Sequence, residues 1–228
     1  ALAQLGVFTA AIYLGLALVL LVVYPALLLA NGLRPGPFFA KAWPAIQLGF
    51  VSRSSVGTLP VTETVTERMG VDKGYAAFAI PLASTTKMDG CASIYPALAA
   101  IFVAGFYGIP LHFIDYVLIV FVSVLGSAAT AGLTGAIVML TLTLSTLGLP
   151  LEGAGLLLAI DPILDMGRTA VNVAGQVLVA TLVAKREGIL DEAAYAGKAT
   201  PVTALGIRRP HLFIQFHKYR NEPFAGRN

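Results

Sequence analysis

From Phe8 to Ala30 the chain carries no charged side chain, and a helix needs about 20 apolar residues to cross the hydrocarbon core of a bilayer. Inside lipid the backbone has no water to bond, so an uninterrupted apolar run survives there as a helix that satisfies its own N–H and C=O groups. This run predicts a spanning helix over 4–30 and restricts the fold to an all-α membrane protein. The signal peptide, its simplest rival, has a shorter apolar stretch preceded by basic residues. No basic residue precedes this one. The whole chain agrees: 57% of the 228 residues are apolar and only 12% charged, far from the balance of a water-soluble domain.

Two pairs of short apolar arms follow. Phe38 to Phe50 is too short to cross, ends in Ser52-Arg53-Ser54-Ser55-Val56-Gly57, and continues into a second arm from Thr58 to Met69. Arg34 and Lys41 precede this unit and Arg68 and Lys73 follow it, so the positive-inside rule places both ends in the cytoplasm. The segment 38–70 is therefore predicted to be a re-entrant hairpin. A broken helix over 74–107 comes next, interrupted by Thr85-Thr86-Lys87-Met88-Asp89-Gly90. Unwound backbone at that depth persists only where it lines a protected cavity. A second hairpin over 111–148 surrounds Ala129-Thr130-Ala131-Gly132, and no lysine or arginine lies between Gly90 and Asp161, so it opens from the other face. A polar helix over 153–187 closes the unit. The result is an inverted repeat meeting near the midplane, the layout of secondary-transporter binding sites. Residues 188–228 read as a basic cytoplasmic tail. The net charge of +3 is concentrated there, between Arg208 and Arg227, and implies no nucleic-acid partner.

In the last helix Asp161, Asp165, Arg168, Asn172 and Gln176 are spaced four, three, four and four apart, which stacks them along one face. Each charge costs a few kcal/mol in lipid, so these groups face a polar cavity or one another. An internal brace between helices is the plainer reading of the same stack. A guanidinium grips a carboxylate with two parallel hydrogen bonds, which an ammonium cannot imitate. Arg168 for a carboxylate and Asp165 for an ammonium together match an amino acid with an acidic side chain.

Three separate motifs, Arg53 to Pro60, Lys87-Met88-Asp89-Gly90 and Asp161 to Asn172, resemble the dicarboxylate/amino acid:cation symporters, the glutamate transporter family. They occur in family order, and the likeness runs from about Leu5 to Lys185. It implies the C-terminal transport-domain half of an elevator-type transporter, carrying aspartate, glutamate or C4-dicarboxylates across the plasma membrane. It further implies a multi-pass protein that assembles as a homotrimer through a scaffold not contained in this chain. Carried over by position, Arg168 holds the side-chain carboxylate, Asp165 the amino group, and Asn172 with Ser54 and Ser55 the main-chain carboxylate. The second tip, at Thr130 and Gly132, closes over the substrate, and Cys91 stands where the family has a threonine. Asp89 corresponds to a sodium-binding carboxylate, with Thr86 and the Thr130 tip as backbone ligands. Arg53 corresponds to an arginine beside the first tip and is expected to pair with a carboxylate such as Asp161 when the domain moves.

Two departures bear on coupling. Lys87 replaces an asparagine and Gln176 replaces an acidic sodium ligand, and an ammonium cannot coordinate a cation. At least one sodium site is expected to be missing. Lysines out of water release protons more readily, so Lys87 paired with Asp89 suggests proton coupling or weak sodium dependence. A fixed structural ion pair is the alternative. No organic cofactor is implied, and the coupling ion is Na+ or H+.

A truncated, non-transporting remnant is a second functional class, since a chain like this is expected to bind but not to transport alone. An intramembrane aspartyl protease is a third, and it needs two carboxylates sharing a proton. Lys87 and Arg168 would neutralise both. Ser84-Thr85-Thr86-Lys87 matches a Ser-x-x-Lys pattern with no partner motif, and His112, His211 and His217 lack metal-ligand spacing. No enzyme is expected.

Overall fold

The computed structural model describes residues 2–127 and 135–197, the side chains of Leu2, Ser127 and Gly135 excepted. The described residues are helical, joined by short turns, with a single isolated bridge between Val71 and Leu190. The predicted second tip, Thr130 and Gly132, and the end of the predicted tail, 198–228, lie outside them.

The first span is a continuous rod in three parts: α1 (Leu2–Leu18), a π-helical turn (Val19–Val23) and α2 (Tyr24–Ala30). Its 28 mostly apolar residues, Ala3–Ala30, reach about 42 Å at 1.5 Å per residue. The π turn has a local cause. Pro25 has no N–H, and its ring would clash with the carbonyl four residues earlier, so the Tyr24 N–H bonds Val19 O, five residues back. Phe8 packs against Phe102 with ring centroids 4.9 Å apart, which anchors the rod inside the bundle, while Val7 and Leu14 face outward at 71% exposure.

Helices α3 (Pro35–Ser52) and α4 (Leu59–Arg68) form an antiparallel pair around a turn at 53–58. Arg53 ends α3 in the left-handed region at φ 55°. The turn is closed by its own hydroxyls: Ser54 Oγ accepts the Gly57 N–H at 2.9 Å, and Thr58 Oγ1 donates to Ser55 O at 2.8 Å. At the opposite end Lys41 Nζ donates to Arg68 O at 3.0 Å, so the chain enters and leaves the hairpin on one side.

The second span, Lys73–Phe106, is α5 (Lys73–Thr86) followed by an irregular Lys87-Met88, a π turn (Asp89–Ile94) and α6 (Tyr95–Phe106). The break falls at the predicted polar residues. Its exit repeats the first rod: Pro96 follows Tyr95, whose N–H bonds Gly90 O, again five residues back. Then come α7 (Phe113–Ser127) and α8 (Gly135–Thr146), both too short to span.

The predicted single polar helix over 153–187 is two helices. α9 (Glu152–Leu158) stops, and α10 (Asp161–Arg186) begins afresh with Pro162 in its first turn, where a missing N–H costs nothing. α10 is the buried axis of the unit and the third candidate span. Close approach to it depends on glycines. A Cβ on Gly49 of α3 would lie 3.0 Å from Val173, and one on Gly167 of α10 would lie 2.8 Å from the Tyr13 ring.

The predicted tail also differs. Gly188 turns the chain at φ +71°, and a short α11 (Glu192–Tyr195), capped by Asp191, follows. The sequence shows only polarity here. The structure folds residues 187–197 back, with Tyr195 buried at 3% exposure.

Candidate functional site

The polar face of α10 meets the broken second span, and every charged group buried there is paired within the chain. Arg168 is fully buried. Its Nη2 donates to Asp165 Oδ1 at 3.2 Å and lies 2.8 Å from Asp161 Oδ1, close enough for Coulomb attraction but off the axis of a hydrogen bond. The guanidinium carbon sits 4.0 Å from the centroid of the Tyr95 ring, a cation–π contact that strengthens away from water. Among the described residues Arg168 Nε and Nη1 have no hydrogen-bond partner, nor has the buried Tyr95 hydroxyl. Buried donors left unmade cost about 1–3 kcal/mol each, so this is a strained cluster unless something completes it.

A second pair lies one to two turns along. Lys87 Nζ contacts Asp89 at 2.5 Å, with 30% and 22% of the two side chains exposed. Tyr24 donates its hydroxyl hydrogen to Asp89 Oδ2 at 2.5 Å, and its oxygen lies 3.2 Å from Val171 O on α10. Gly175 makes this possible, since a Cβ there would lie 2.5 Å from the Tyr24 oxygen. Gln176 Nε2 donates to Lys87 O at 3.4 Å, while its Oε1 is buried without a partner among the described residues.

Asn172 joins the two pairs. Its Oδ1 accepts the Gly90 N–H at 2.8 Å and its Nδ2 donates to Cys91 Sγ at 3.1 Å. Gly90 lies against the backbone of α10, where a Cβ would meet Arg168 O at 2.5 Å. Gly90→Ala is therefore expected to lower stability by about 2–3 kcal/mol, because the obstructing atoms are main chain and cannot rotate away. Thermal unfolding of the purified protein reads it as a fall of several degrees in Tm.

The structure thus brings Asp161, Asp165, Arg168, Asn172, Gln176, Lys87, Asp89 and Cys91 together. Thr86 closes α5 with its hydroxyl on Leu82 O at 2.9 Å. Ser54 and Ser55 bond within their own turn. The Arg53–Asp161 pair, expected when the domain moves, is not formed in this structure. Asp161 lies seven residues from Arg168 on one helix and takes that cation, and Arg53 forms no ion pair among the described residues. Tyr24 and Tyr95 went unread in the sequence although a signal existed, because Tyr-Pro-Ala-Leu occurs at 24–27 and again at 95–98. Both copies direct a tyrosine at one of the two ion pairs.

Apolar spans enclosing fixed charges define a membrane protein that keeps ionised groups away from water. A family model described as the sodium:dicarboxylate symporter family matches residues 1–186, and the chain belongs to that family. It is 37% identical over 198 residues to the L-cystine uptake protein TcyP of Shouchella clausii, covering 86% of this chain and 42% of the relative. It is 40% identical over 182 residues to an uncharacterized symporter of Haemophilus influenzae, covering 78% and 41%. A TcyP of Bacillus thuringiensis is 35% identical over 200 residues, covering 86% and 42%. The chain spans about two fifths of the length of the curated relatives it matches.

Proposed function

We propose that this chain supplies the substrate-binding part of a secondary active transporter, and that the substrate is an amino acid bearing two carboxylates, with aspartate and glutamate the first choice. The observation that carries this reading is Arg168, a permanent cation with no exposed surface and two nitrogens without partners among the described residues. A brace between helices would account for the contacts to Asp161 and Asp165 but leaves those donors unexplained. A substrate carboxylate completes them. Asp165, whose side chain keeps 25% of its surface exposed, then meets the ammonium, and Asn172 with the Ser54–Ser55 turn serves the main-chain carboxylate.

Cystine is the second reading, favoured by the relatives named as L-cystine uptake proteins. It also carries two carboxylates, so it needs the same arginine. Isothermal titration of the purified full-length protein with aspartate, cystine and serine separates these readings. Binding of aspartate or cystine at least about 100-fold tighter than serine is expected, which is the worth of one desolvated ion pair. Equal binding of all three would overturn the assignment.

In the same reading Lys87 fills the place of a coupling cation. Its ammonium lies on Asp89, and Tyr24 occupies one oxygen of that carboxylate, which leaves little of it for sodium. The basic ends, Arg34, Lys41, Arg68 and Arg186, gather through contacts at one end of the unit. The positive-inside rule makes that end cytoplasmic. A re-entrant α3–α4 hairpin, elevator motion, a homotrimer and a multi-pass location in the plasma membrane follow from the family resemblance.

A further inference from the structure

Residues 187–197 cross the open end of the α3–α4 hairpin and bind every segment that meets there. The Asp191 N–H bonds Gly70 O at 2.8 Å, beside the Val71–Leu190 bridge. Lys41 Nζ donates both to Arg68 O, at the end of α4, and to Ala194 O in α11. Tyr195 donates to Arg34 O at 2.8 Å, at the start of α3. Arg186 Nε reaches Asn31 Oδ1 at 2.9 Å, beyond the end of α2, and Lys185 pairs with Glu192. Burial pushes the Tyr195 hydroxyl up to about 12, so it stays a donor at any physiological pH. Gly70, at φ +92°, is the one residue type that fits beneath this segment, since a Cβ would lie 2.3 Å from Asp191 O.

We propose that this segment is a strap that locks both ends of the α3–α4 hairpin to α10, and that it stays closed while the protein works. Three of these contacts, Asp191 N–H to Gly70 O, Lys41 to Ala194 O and Tyr195 to Arg34 O, run to backbone carbonyls rather than to exchangeable surface charges, and they join both ends of the hairpin to eleven consecutive residues. A loose tail would make none of them. The hairpin is then a rigid part of the α10 body, and any opening toward the site has to take place elsewhere than between its two ends.

The test uses the full-length protein and two routes to release. Gly70→Ala pushes the strap off sterically, and Lys41→Met removes its central donor. Each is expected to raise amide hydrogen exchange in residues 59–71 at least about 10-fold, leaving residues 95–106 of α6 unchanged. Tyr195→Phe, a milder change, gives a smaller rise in the same peptides if either of the others fails to fold. Exchange unchanged in 59–71 in the variants that fold overturns the locking role. A Val71→Cys/Leu190→Cys cross-link tests closure: substrate uptake equal to that of the reduced protein supports it, and uptake abolished by oxidation and restored by reductant overturns it. The closure arm rests on the transport reading. A protein with no uptake even when reduced refutes that reading and leaves the exchange result standing.

Discussion

Arg168→Ala in the full-length protein is expected to weaken aspartate binding at least about 100-fold and to lower stability as well. Removing one partner of a buried ion pair costs about 3–5 kcal/mol. The lower end applies because Asp161 and Asp165 keep 22% and 25% of their side-chain surface exposed and rehydrate in part. The two effects separate in the double variant Arg168→Ala/Asp161→Asn, which removes one orphaned charge. Its Tm should recover toward that of the parent while acidic-substrate binding stays lost. Neutral amino acids then become the better ligands, and Asp165→Ser shifts preference toward dicarboxylates without an amine. Aspartate binding that persists in the Arg168 variant would show that the guanidinium only braces α10.

Lys87→Asn is expected to create a sodium requirement. In the parent the ammonium already neutralises Asp89, so replacing sodium with choline should change substrate affinity by less than about twofold. The asparagine removes that charge and leaves the carboxylate with the Tyr24 hydroxyl alone. An oxygen-rich, anionic site of this kind takes a hard cation. Sodium should then tighten substrate binding by about 10-fold or more, an amount set by a partly exposed pair rather than a sealed one. Strong sodium dependence in the parent would remove Lys87 from the coupling role. Loss of folding in Lys87→Asn but not in Lys87→Arg would mark the pair as structural.

Much of the arrangement was legible because lipid leaves a charged side chain few options. The spacing of Asp161, Asp165, Arg168, Asn172 and Gln176 predicts one polar face, and in the structure that face meets the break at Lys87 to Gly90. Spacing along one helix cannot say which of several neighbours a cation will choose. Arg168 takes Asp161 from its own helix, and Arg53 is left at a left-handed helix end. The split between α9 and α10 was written in Pro162, which polarity masked. The strap was illegible for a different reason: it is held by main-chain carbonyls of Arg34, Arg68, Gly70 and Ala194, and no residue type announces those. The two tyrosines were hidden by their apolar company, their only advertisement being the proline that follows each.

Those prolines make chain length itself part of the site. Each π turn houses one residue more than an α-helical turn would, and each residue rotates a helix by about 100°. Deleting a single aliphatic residue from Val19–Val23 would close that turn to an α-helical one and keep Tyr24 near its phase, but would set the Pro25 ring against the carbonyl four residues earlier; the same deletion in the regular turns of α1 would instead swing the Tyr24 hydroxyl about a quarter of a revolution away from Asp89. The surplus residue thus relieves the proline without turning the tyrosine, and a silent-looking indel in the regular helix beside it would do the damage of a binding-site substitution.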